Sequence, residues 1–110
     1  MQRQLLTDFE LMILLAILRA GDEAYGVRIA EEIEQTGGRS VVMGAVYAAL
    51  ERLERNGLVS SSVGDPTPAR GGRAKRFFEV TTRGVDAVKQ TQNALVALWT
   101  DLPQLKERPT

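Results

Sequence analysis

The stretch Val42 to Val59, VMGAVYAALERLERNGLV, decides how the rest of the chain is read. Val46, Leu50 and Leu53 fall at i, i+4 and i+7, one stripe of a helix. Ala45, Ala48, Ala49, Glu51, Arg52, Glu54 and Arg55 are left elsewhere. This is the pattern of a half-buried helix. Asn56-Gly57 supplies a residue that accepts the left-handed conformation closing a helix, and Leu58-Val59 resumes at once as a strand-like pair. A Gly/Pro/Arg-rich connection and a second run, KRFFEV, follow. A helix feeding directly into a hairpin is how a winged helix-turn-helix is written. The face away from the stripe is small and polar around Tyr47, which suits a helix lying against a large hydrophilic surface such as DNA.

The sequence of 110 residues, 44% hydrophobic, is enough for one domain with a modest core. It contains no Cys and no His, which excludes disulfides, thiolate metal sites and thiol or imidazole catalysis, and no cofactor is expected. The N-terminus MQRQLLTDFE does not read as a signal peptide, and no apolar run approaches the roughly 20 residues of a membrane span, so a cytoplasmic protein is expected. Formal net charge is zero. Its distribution is uneven: Pro66 to Phe78 carries Arg70, Arg73, Lys75 and Arg76 with no acid, while Glu31, Glu32 and Glu34 crowd an earlier segment.

Thr7 and Glu10 have the spacing of a capping box, so a first helix should begin at Asp8 and run to about Ala20. Apolar residues from Phe9 to Leu18 cover nearly its whole circumference, more than one small core can hide, and part of that surface is expected to meet a second subunit. Gly21-Asp22-Glu23 breaks it. A second helix should run from about Ala24 to Thr36 with Tyr25, Ile29, Ala30 and Ile33 on its apolar side, ended by Gly37-Gly38. The turn through Arg39 and Ser40 then leads into the Val42 to Asn56 helix, completing helix-turn-helix order. The connection Gly64 to Gly72 reads as an exposed wing tip and Lys75 to Val80 as the returning strand. Thr81 is a suitable N-cap for a last helix reaching about Asp101. In it Val85, Val88, Gln92, Leu95, Trp99 and Leu102 form a short heptad-like seam, a second dimerisation signal. The expected fold is mainly α with a small β-hairpin wing. Residues 1–81 would form the winged helix-turn-helix domain and 82–110 a C-terminal dimerisation helix and tail.

With these pieces in place the chain resembles the PadR-type transcriptional regulators. The matching residues are AYG at Ala24 to Gly26, GAVYAALERLERNGLV from Gly44, GGRAKRFFEVT from Gly71, and Gly84. The resemblance implies a winged helix-turn-helix that represses transcription as a homodimer paired through its final helix. Val42, Ala45 and Phe78 depart from the family pattern, which more often has small hydroxyl residues at the first two positions and Tyr at the third. Some such regulators sense planar aromatic compounds between aromatic residues near the dimer axis.

The expected DNA-contacting residues are Tyr25, Arg28, Arg39, Gly44, Ala45, Tyr47, Arg70, Arg73, Lys75 and Arg76. Tyr47 can equally pack through its ring, and Arg52 can pair with Glu51 or other neighbours on its own helix. The dimer interface is expected at Phe9, Met12, Leu15, Val88, Gln92, Leu95, Trp99 and Leu102. Trp99, the sole Trp, reads first as interface packing and second as a slot for a small aromatic effector. The expected partners are thus a double-stranded DNA operator, a second copy of the chain and such an effector. A winged-helix protein-protein adaptor that never touches DNA is the competing function.

Overall fold

In a computed structural model, which describes residues 5–64 and 74–106, four helices and a hairpin pack in the anticipated order. Helix α1 (Asp8–Ala20) starts at the capping box: Thr7 Oγ1 accepts from the Glu10 N–H at 3.2 Å and Glu10 Oε1 accepts from the Thr7 N–H at 2.9 Å. Ile13, Leu14, Ala16 and Ile17 are buried, whereas Leu15 and Leu18 stay exposed, so the core indeed leaves part of the apolar circumference uncovered. Gly21, at φ +58, closes the helix into a 3-10 turn (Gly21–Glu23).

Helix α2 (Gly26–Gln35) begins two residues later than the periodicity suggests. Ala24 turns and Tyr25 is held in extended backbone alongside the hairpin: the Phe78 N–H donates to the Ala24 carbonyl at 2.8 Å, and Tyr25 bridges Phe77. Tyr25 therefore serves as the N-cap and not as part of the apolar side of α2, which is carried by Ile29, Ala30 and Ile33. Gly38, at φ +70, turns the chain out of α2.

Helix α3 (Met43–Arg55) has Val42 as N-cap with no side-chain hydrogen bond. It buries Val46, Leu50 and Leu53 as expected, and Ala49 as well, which joins the same core cluster one turn before Leu53. Gly57 at φ +78 ends it, with the Leu58 N–H donating to the Leu53 carbonyl at 2.9 Å. Strands β1 (Val59–Val63) and β2 (Arg76–Val80) pair antiparallel in the register Val59 to Val80, Ser61 to Phe78 and Val63 to Arg76. Val59 and Phe78 point into the core, and of the alternating residues Ser60, Ser62 and Glu79 face solvent while Phe77 is half-buried.

Helix α4 (Thr82–Trp99) is capped by Thr81, whose hydroxyl oxygen accepts from the Gly84 N–H at 3.1 Å and whose O–H donates to the Gly57 carbonyl at 2.7 Å. A Cβ on Gly84 would collide with the Leu58 carbonyl, so glycine here lets α4 settle onto the α3–β1 junction. The helix stops at Trp99, two residues short of the expected end, because Thr100 is extended and Asp101 takes φ 64. Leu102 thus lies off the helix and cannot extend the seam in helical register. Among the described residues no helix is long and apolar enough to cross a membrane.

Candidate nucleic-acid interface

The first two turns of α3 present a face that the core does not need. Gly44, Ala45 and Ala48 are exposed, Val42 in front of them is 74% exposed, and nothing lies within 4 Å of a Cβ built on Gly44. Tyr47 borders this face half-exposed, with its ring lying on the first turn of α2. A Cβ added to Gly26 would run into the Tyr47 hydroxyl and ring, so Gly26 and Tyr47 are a fitted pair. Both readings of Tyr47 are thereby accommodated: the ring packs, and the hydroxyl is delivered to the N-terminal end of α2. That end lacks a side-chain cap, which leaves its first backbone N–H groups unsatisfied by any side chain.

The wing root is built from aromatic contacts. Tyr25 meets Phe77 edge-to-face with ring centroids 5.9 Å apart, and Lys75 Nζ lies 3.4 Å from the Tyr25 ring centroid. Tyr25 is therefore a support for the hairpin, and the position of Lys75 is set by that ring. Arg76 donates to Ser61 Oγ at 2.9 Å, and the Ser61 hydroxyl donates to Glu54 at 2.6 Å, a relay tying the wing to α3. Arg70 and Arg73 lie outside the described residues.

Four other arginines are drawn into contacts within the protomer. Arg28 pairs with Glu32 at 2.8 Å, one turn along α2, and Arg19 approaches the same carboxylate at 3.5 Å. Arg39 pairs with Asp8 at 3.2 Å and stacks over the Phe9 ring at 4.9 Å, which straps the α2–α3 turn to α1. Arg52 pairs not with Glu51 but with Glu10 of α1, at 3.4 Å. Burial pushes the Glu10 carboxyl up, but hydrogen bonds from Thr7 and the Arg52 guanidinium outweigh it and hold the group below its ordinary range. The sequence shows these charges plainly, and the i,i+4 spacing of Arg28 and Glu32 shows that pair; the partners of Arg19, Arg39 and Arg52 lie too far along the chain for spacing to reveal.

The expected dimer residues divide between two environments. Phe9 and Met12 pack against the core beside Arg39 and Gly37. Leu15 instead joins Val88, Gln92, Leu95 and Trp99 along an apolar groove of about 300 Å³ between α1 and α4. Leu95 is 49% exposed and Trp99 64% exposed.

The family model for the PadR-like transcriptional regulators matches residues 14–90, well over half of the chain. The chain is similar in structure to hsRosR-S4, solved as a complex (28% identity, TM-score 0.67, covering 90% of this chain and 78% of that one). It is similar also to a PadR family regulator from Clostridium difficile (26% identity, TM-score 0.66, covering 87% and 96%). A PadR-like transcription factor from Bacteroides fragilis shares the fold at 21% identity, with TM-score 0.69 and 89% of each chain covered. No curated protein matches the chain closely enough to count as a relative. A winged helix-turn-helix with a free recognition helix, matched over most of its length by this family model, places the chain in the PadR-like family of DNA-binding transcriptional regulators.

Proposed function

We propose that the chain acts as a homodimeric repressor that sets two α3 helices into successive major grooves of a pseudo-palindromic operator, with half-sites about 10 bp apart. The observation that carries this reading is the pairing of two unsatisfied surfaces. The N-terminal face of α3 at Gly44, Ala45 and Ala48 is exposed, and beyond Thr91 no residue of α4 is buried within one protomer. Leu95, Val96, Leu98 and Trp99 stand exposed on that second stretch, and Leu15 and Leu18 stand exposed on α1. So much apolar surface on one protomer is the mark of an interface. A second copy brings the same helix and covers it in isologous fashion. Leu15, Val88, Gln92, Leu95 and Trp99 are assigned to that interface.

In this arrangement Tyr47, Lys75 and Arg76, with Arg70 and Arg73 of the wing, contact phosphates, while Gly44 and Ala45 allow α3 to approach the bases. Tyr25, Arg28 and Arg39 act on DNA indirectly by holding the wing and the helices in place. Trp99 and its two-fold mate border a slot for a planar aromatic effector, which releases DNA only if it binds the DNA-incompetent dimer more tightly. No catalytic role is assigned, since the sequence holds neither His nor Cys. Footprinting on a duplex selected from random sequence tests the arrangement. Two protected half-sites about one helical turn apart support it; a single uninterrupted half-site bound by one protomer contradicts it.

A further inference from the structure

We propose that the chain reads its operator mainly through thymine methyl groups, contacted by Val42, Ala45 and Ala48 on the leading end of α3. The inference rests on the placement of α3 in the major groove proposed above and adds what the helix recognises there. In a helix-turn-helix the base edges are met by the N-terminal residues of the recognition helix. From Ser40 to Glu51 the sequence has no Arg, Lys, Asn or Gln, the residues that make bidentate hydrogen bonds to guanine or adenine. The nearest cations on either side of this stretch are engaged elsewhere, Arg39 with Asp8 and Phe9 and Arg52 with Glu10, and Arg55 lies in the last turn of α3, away from its leading end.

The face instead carries branched and single methyl groups. Val42 is 74% exposed with no side-chain cap to make, Ala45 and Ala48 are exposed a turn apart, and Gly44 just before them adds no bulk. Among base edges in the major groove only thymine offers an apolar group, its C5 methyl, and Ala or a comparable methyl is its usual protein contact. Ser40 can bond either purine or pyrimidine and gives little discrimination, while Glu51 can accept from the cytosine amino group. The operator half-site should therefore be thymine-rich, with at most one position fixed by Glu51.

The test uses the full chain and a duplex selected by it from random sequence. That duplex is remade with deoxyuridine in place of thymidine, which removes only the methyl. Binding should weaken about fourfold for each contacted methyl, the fold-change that corresponds to about 0.8 kcal/mol per buried group. An unrelated duplex should show no such effect. Val42→Ser, a change at an exposed position outside the core, should lose the sensitivity at one thymine per half-site while keeping the same salt dependence. If a consensus emerges but the deoxyuridine duplex binds as tightly as the original, the methyl readout is wrong and the repressor reading stands. If no duplex is enriched, the repressor reading itself falls, and this inference with it.

Discussion

The Leu6 N–H donates to Thr91 Oγ1 at 3.1 Å, joining residues 85 positions apart. The same hydroxyl donates to the Ala87 carbonyl at 2.8 Å, so the threonine, buried in the protomer, is satisfied on both sides. The bond fixes the segment leading into α1 against α4, and with it the direction in which the exposed second half of α4 leaves the core. Thr91→Val keeps the shape but orphans the Leu6 amide, and should cost about 1–3 kcal/mol in urea unfolding, whereas Thr91→Ser should restore most of the loss. Equal stabilities for the valine variant and the wild type would show that water replaces the bond.

Gly26 and Tyr47 should behave as a coupled pair. Gly26→Ala forces the Tyr47 ring off the start of α2 and should weaken DNA binding and stability together. In a Tyr47→Ala background the same change should be nearly neutral, giving an interaction energy on the order of 1 kcal/mol or more in a double-mutant cycle. Additive effects of the two substitutions would mean that the ring does not depend on the glycine.

Glu10 predicts an acid-side loss of stability. Its carboxyl is held below the ordinary value of 4.5 in the folded chain, so the folded state favours the charged form more than the unfolded state does. Its contribution is fully present above about pH 4.5 and is lost as pH falls through the lowered folded value. Glu10→Gln should reduce stability at neutral pH and flatten the decline below pH 4.5, measured by chemical denaturation across that range. An unchanged acid limb would locate the pH dependence in other carboxylates.

The elements that rest on local chemistry were legible in the sequence. The Thr7/Glu10 capping box, the left-handed Gly57 and the Thr81 cap each involve groups a few residues apart, so spacing alone fixes them. What was hidden depends on distant neighbours. Ala24 and Tyr25 carry a helical pattern, but β2 takes up the Ala24 carbonyl and draws Tyr25 into an antiparallel bridge. Arg39, which reads as a cation for DNA, finds Asp8, and Arg52, which spacing offers to Glu51 on its own helix, finds Glu10 across the fold. The Gly26 and Gly84 positions carried a signal in the motifs, but their reason, a ring and a carbonyl from elsewhere in the chain, appears only once the helices are packed.

The uncovered half of α4 makes a clean test of assembly possible. Leu95 is not needed by the core of one protomer, being 49% exposed there, so Leu95→Glu should leave helical content intact while placing a carboxylate in the subunit interface. Sedimentation should then report monomer, and operator affinity should fall together with dimerisation. A variant that remains a stable dimer would move the interface away from this face.

The central claim, that α3 and the wing bind duplex DNA, is tested most directly by the salt dependence of binding. With even four of the dimer's eight wing cations on phosphates, log K against log salt should fall with a slope of about −3.6 or steeper, and neutralising Arg73 and Arg76 together should flatten it about equally for all sequences. A slope near zero for the wild-type chain, or a double variant that keeps its slope while changing sequence preference, would contradict the account.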